Sequence, residues 1–347
     1  MRQGIYMNRL FSIASLAALA VAAPVIAQDT EKPEYPSPNA IVEAAPASEW
    51  VKIAPSDLLV MDLAPDTEGN TRRVVIQLMP APFSQGWIRN IRKLATAHWW
   101  DGTSINRVQD NYVAQWGDAS EKKALPDGLE TVPESEYQVD PGLVETKILL
   151  KMFETYFEWQ LERTGIENTA PDVSKIPRLA IYETPYALDG DFFQNGWPVS
   201  FDETESGKWP IHCYGAVGVG RNLSPDTGSG AELYTVIGHA PRHLDRNIAV
   251  VGRIIEGIEH LSSLPRGKGQ LGFYEDASKR IPINSIRLAS ALPESDQPRF
   301  EYLNTEGESF AKYTDARANR RDPFFIVPAG GADICNIPVP VRRVSGK

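Results

Sequence analysis

The order of apolar and polar positions divides the chain into alternating short elements. Leu58–Met61 and Val74–Leu78 are strand-like apolar runs separated by a polar turn, Asp66 to Arg73. Pro80 and Pro82 end the second run, and Ser84 is placed to cap a helix. Trp87, Ile88, Ile91, Leu94, Ala95 and His98 then recur at helical spacing, with Arg89, Arg92 and Lys93 off that face. The stretch Trp99–Asp118 reads as turn, strand, turn, strand: Asp101-Gly102 is a strong turn pair, and Ile105 and Val108 flank Arg107. Tyr112, Val113 and Ala114 lead to Gln115.

Residues 119–197 break the rhythm. Ala119–Asp140 is polar loop, and Leu143–Arg163 predicts a long amphipathic helix carrying Ile148, Met152, Tyr156 and Trp159. Strand patterning resumes near Ser200, with Ile211–Val219 and Leu233–Ile237 on either side of the loop GRNLSPDTGSGAE. A second helix is expected over Ile254–Leu264 and a closing strand over Ile281–Ala289. Phe300–Arg321 is weakly helical. Asp322–Val341 is rich in Pro and Gly, and apolar Phe324, Phe325, Ile326 and Val327 predict an irregular wrap packed on the domain.

At the other end, Arg2 and Arg9 precede the apolar run Leu10–Ala23, and small residues lead up to Ala27. This is the pattern of a cleaved secretory leader over 1–27; an uncleaved anchor is the rival. Pro, Ala and acidic residues over 28–49 predict a disordered linker. Composition changes this picture little, at 42% hydrophobic and 23% charged residues. The net charge of −10 argues against a nucleic-acid partner, because phosphate binding wants a basic surface, and against an anionic membrane face after leader removal. An exported chain would meet an oxidising compartment, so Cys213 and Cys335 are either a disulfide or two buried thiols. The five histidines show no ligand spacing with the cysteines, so no metal is expected. There is no G-x-S-x-G and no H-E-x-x-H to support a hydrolase.

One cation, Arg107, and one amide, Gln115, stand among strand apolars and aromatics, which suits a dry pocket that polarises a neutral amide. The stretch also resembles the central signature of the cyclophilin-type peptidyl-prolyl cis-trans isomerases. Asp101-Gly102-Thr103, Arg107-Val108, the aromatic Tyr112, Gln115 and Gly117-Asp118 fall at the family spacing. Further on, Leu244-Asp245, Val250, Gly252, Arg253, Glu256 and Gly257 fit a second family segment. The resemblance covers about 58–118 and 200–290. It implies a mainly β fold: a closed eight-stranded antiparallel barrel capped by two helices. The domain would span 50–292 with the insertion 119–197, followed by a C-terminal extension over 293–347.

The resemblance further implies a prolyl isomerase acting on proline-containing polypeptides with no cofactor. Arg107 would be its catalytic arginine, and Gln115 would hold that arginine and the substrate backbone. Tyr112, Val113, Tyr234 and Leu244 would wall the proline pocket. Gly220 and Arg221 would pair with an extended peptide, and His243 would make a modest contact. Glu232, or Leu233 depending on the loop gap, stands where the family has a second pocket glutamine. Asn106, Trp116, Arg221 and Ile248 depart from the family residues. They leave open an alternative, a weakly catalytic or non-catalytic peptide-binding module on the same scaffold. The insertion is either structural elaboration or a substrate-docking arm.

Overall fold

The computed structural model describes residues 35–140, 182, 184–202 and 207–344. The leader and the helix expected over 143–163 lie outside the described residues.

Eight strands close into an antiparallel barrel. They are β2 (Leu58–Leu63), β3 (Arg72–Leu78), β4 (Ser104–Val108), β5 (Val113–Gly117), β9 (Ala216–Val219), β10 (Leu233–Val236), β11 (Val250–Glu256) and β12 (Ile281–Leu288). Around the barrel the order is β10-β5-β4-β12-β2-β3-β11-β9, and β9 pairs with β10 to close it. The expected barrel is therefore present, and closure leaves no exposed sheet edge. Helix α2 (Gln85–Thr96) lays Trp87, Ile88, Ile91, Leu94 and Ala95 on the core. Its outward cations are paired, Arg89 with Glu130 (2.7 Å) and Arg92 with Asp57 (2.8 Å).

Two details differ from the sequence expectation at this helix. Ser84, at φ 55°, does not cap it; its hydroxyl donates to the Val250 carbonyl (2.7 Å) and ties the helix start to β11. His98 lies past the helix end at φ 54° and is exposed, so it is off the apolar face.

The second helix is much shorter than expected. β11 runs on through Ile254 and Ile255, whose β-branched side chains suit a strand, and only Glu259–Ser262 (α3) is helical. Gly257 makes the turn at φ 83°; a Cβ there would stand 2.1 Å from the Arg73 carbonyl oxygen, so only glycine fits.

The insertion extends further than expected. Its first part packs on α2 through Tyr137, whose ring stacks on Trp87 at 5.3 Å. Its last part forms a three-stranded antiparallel sheet of β6 (Gly190–Gln194), β7 (Trp197–Asp202) and β8 (Gly207–Pro210), so the chain rejoins the barrel at Ala216 rather than near Ser200.

Order also begins earlier than expected. Within the predicted linker, Pro38–Ala44 form a helix, α1, started by Pro38 and capped by Ser37. α1 packs against α4 (Glu308–Ala318). A third sheet joins β1 (Trp50–Lys52), β13 (Phe300–Leu303) and β14 (Val341–Arg343), so the span read as weakly helical is a strand followed by a helix. The C-terminal segment does wrap, through Ile334 and Ile337, but Phe324, Ile326 and Val327 are exposed. Cys213 and Cys335 form a disulfide that pins this segment beside β9. Among the described residues no helix is long and apolar enough to cross a membrane.

Candidate functional site

Strand register sets the site. Tyr234 on β10 pairs with Gln115 on β5, and Gln115 pairs with Arg107 on β4. Paired residues point to the same face, so three polar side chains stand in a row across adjacent strands about 5 Å apart. Between Ile105 and Arg107 the β4–β5 register shifts by one residue. Such a bulge re-aims the side chain that follows it. It brings Arg107 into the row and sinks Asn106 into the interior. Trp116, one residue from Gln115, faces the opposite way and is fully buried in the core.

Arg107 is half-buried and held on three sides. Nη1 donates to Gln115 Oε1 (3.0 Å), Nη2 to Gln109 Oε1 (2.5 Å) and Nε to the Leu271 carbonyl (2.7 Å). Its guanidinium lies 5.7 Å from the Tyr112 ring and 5.5 Å from that of Phe273. Burial lowers its pKa, but an arginine starts so high that it stays charged.

Glu232 lies beside Gln115. Its carboxyl accepts from the Gln115 and Asn106 side chains and from the Asp118 N–H, and burial pushes its pKa up to about 7. Gly117 makes room for it, since a Cβ there would stand 1.9 Å from Glu232 Oε1. Asp118 itself is held down at about 2: its burial cost is outweighed by N–H bonds from Ser120, Lys122 and Lys123 and by the Ser120 hydroxyl.

The other predicted residues divide into two groups. Tyr112 stacks on His243 at 6.3 Å, and Val113 and Leu244 pack on the core nearby. Gly220 and Arg221 each make a bond within the protein. The Gly220 N–H donates to the Glu232 carbonyl (2.8 Å), and Arg221 Nε to the Asn247 carbonyl (3.0 Å).

Sequence reasoning missed the chain of groups behind Tyr234. The Tyr234 ring covers Gly218, where a Cβ would stand 2.4 Å from it, and its hydroxyl bonds His212 Nε2 (2.9 Å). His212 Nδ1 bonds Asp245 Oδ1 (2.8 Å), and Asp245 Oδ2 accepts from Arg242 Nε (2.6 Å). Arg242 continues to Asp191 (2.8 Å) and Ser200 (2.8 Å) on the inserted sheet. These groups are buried, and buried polar groups persist where each has a partner. Tyr234→Phe removes the hydroxyl and leaves His212 Nε2 unpartnered. The expected cost is about 1–3 kcal/mol, measurable as a lower urea midpoint with an unchanged slope.

Among the described residues no cluster of His, Cys, Asp or Glu could hold a metal ion. Residues 66–288 match the model of the cyclophilin type peptidyl-prolyl cis-trans isomerases. The chain belongs to that family. As a cyclophilin-type protein it is a peptidyl-prolyl cis-trans isomerase. No curated protein matches it. Among solved structures it is similar to the cyclophilin AquaCyp293 from Hirschia baltica, at 22% identity and a TM-score of 0.57, over 86% of this chain and 94% of that one. That likeness speaks for the fold. A cyclophilin type isomerase of Cryptosporidium parvum, solved in the presence of the dipeptide Ala-Pro, matches at 10% identity and a TM-score of 0.34, over 66% of this chain and 98% of that one. The second match carries no weight for the site.

Proposed function

We propose that this isomerase accelerates X-Pro rotation in exported polypeptides, with Arg107 as the donor that polarises the prolyl amide. The barrier to amide rotation, ~18–20 kcal/mol, comes from C–N double-bond character. No bond breaks, so neither a nucleophile nor a cofactor is needed. What helps is a slot for the proline ring and a donor aimed at the amide as it twists. Only the twisted amide offers a nitrogen lone pair, so donation to it favours the transition state over the ground state.

The observation that carries this reading is the pinned guanidinium. Three bonds from described residues fix Arg107, and an arginine has five N–H donors. The rest can meet a substrate amide without reorganisation. Tyr112, Val113, Tyr234 and Leu244 would receive the proline ring, and Gln115 would hold both Arg107 and the peptide backbone.

Export rests on the leader pattern over 1–27, and the disulfide is of a kind that persists in oxidising compartments. The mature protein from the producing cell is expected to be extracytoplasmic and to start at Gln28; recovery of an intact N-terminus in the cytosol would remove this part of the reading. Activity is tested by exchange NMR or a protease-coupled assay on peptides with several residues before proline. No acceleration by the folded chain would favour the peptide-binding alternative, for which the departures Arg221 and Ile248 speak.

A further inference from the structure

A cavity of about 270 Å³ lies where β9 and β11, the inserted sheet and the C-terminal segment meet. It shares no lining residue with the row of Arg107, Gln115 and Tyr234. Most of its wall is apolar: Met79, Ile211, Val250, Ile334, Ile337 and Val339 line it, and the Cys213–Cys335 disulfide fastens one side.

One lining residue is a cation. Arg253 donates from Nε to Gln77 Oε1 (2.9 Å) and from Nη1 to the Gly196 carbonyl (2.8 Å), and its guanidinium lies 4.5 Å from the Trp197 ring. Its Nη2 is buried and has no acceptor among the described residues. The same holds for Nε1 of Trp197, which also lines the cavity. No described carboxylate pairs with Arg253, and burial lowers its pKa to about 10. Arg242 makes the contrast: it is buried and bonded to Asp191 and Asp245. A buried cation without a counter-charge is costly, and so is a buried donor without an acceptor. Both residues line one apolar space whose one cation has no described counter-charge, which calls for an anion joined to an apolar body.

We propose that this cavity binds a small hydrophobic carboxylate, its acid head on Arg253 and Trp197 and its tail among the isoleucines. A void of 150 Å³ holds benzene, so this one suits about ten non-hydrogen atoms, the size of octanoate. The inference is independent of the isomerase reading, because none of these residues belongs to the candidate site.

The test is calorimetric titration of the disulfide-intact chain with octanoate, octanol and acetate. Octanoate is expected to bind one to one, with octanol at least tenfold weaker for want of the charge-assisted bond and acetate at least tenfold weaker for want of the apolar tail. NMR contacts from the octanoate methyl should reach the Ile334 and Ile337 methyls. Arg253→Met should weaken octanoate at least tenfold and leave octanol unchanged. Because Arg253 also holds Gln77 and Gly196, Val339→Trp, which fills the space, serves as a second variant and should abolish both. Equal binding of octanoate and octanol, or no octanoate binding to the wild type, overturns the proposal. X-Pro isomerisation should persist in the Val339→Trp variant, so the two readings fail separately.

Discussion

Arg107→Ala is expected to lower kcat/KM for X-Pro isomerisation about 10²–10³-fold, the cost of removing one pre-aimed donor from an electrostatically organised site. Most of the loss should fall on kcat, because the guanidinium acts on the twisted amide rather than on the planar one. Arg107→Lys keeps the charge but not the planar fork that reaches Gln115, Gln109 and the Leu271 carbonyl together. It should recover only a small part of the rate. Arg107 is half-buried rather than in the core, so the Ala variant should unfold at nearly the wild-type denaturant concentration. Unchanged kcat/KM in a folded Arg107→Ala protein would remove Arg107 from the mechanism. A loss that followed stability instead would make it a structural residue.

The part of this site that the sequence made legible is local. Asp101-Gly102 and the alternation over 104–117 fix two paired strands, and the spacing of Arg107 and Gln115 on them matches the family signature. The bulge that aligns the two was not legible, because an extra residue shows only against its partner strand. Long-range pairings were hidden for a similar reason. β1, β13 and β14 are three or four residues each and come from residues 50, 300 and 341 onward, too short to show a period. In β7, Trp197, Val199 and Phe201 alternate with Ser200 and Asp202, yet both faces are buried, since the sheet is covered on both sides. His212 and Asp245 are 33 residues apart; Asp245 fits a family segment and His212 shows only the lack of ligand spacing, and the fold alone brings them together behind Tyr234. The opposite error arose at Phe324–Val327, where apolar character predicted packing and the chain leaves the side chains exposed.

Glu232→Gln should stabilise the protein at pH 8 and do little below pH 5. The cause is the buried carboxyl whose pKa the fold lifts from 4.5 to about 7. Below the unfolded value the group is protonated in both states and contributes no difference. Between about 4.5 and 7 the unfolded chain has lost the proton and the folded chain keeps it, so stability falls as pH rises. Above 7 both states are ionised and the full cost is present. About 2.5 pH units at 1.36 kcal/mol each sets a ceiling near 3 kcal/mol, and roughly 2 kcal/mol is expected once the glutamine's own burial is counted. Three donors face the carboxyl, from Gln115, Asn106 and the Asp118 N–H, and a glutamine keeps one acceptor oxygen for them, which holds its gain below the ceiling, while the repulsion from ionised Asp118 disappears. Urea unfolding of both proteins at pH 5 and pH 8 checks this: the gap in midpoint should open with pH. A gap that is constant with pH would mean that Glu232 does not titrate near neutrality. The site carries the same dependence, since Gln115 holds Arg107 with its oxygen and Glu232 with its amide group. Ionisation of Glu232 strengthens the second bond and polarises Gln115 toward Arg107, drawing donor strength away from the substrate. Wild-type kcat/KM should therefore decline a few-fold as pH rises through 7, and the Gln variant should stay flat over the same range.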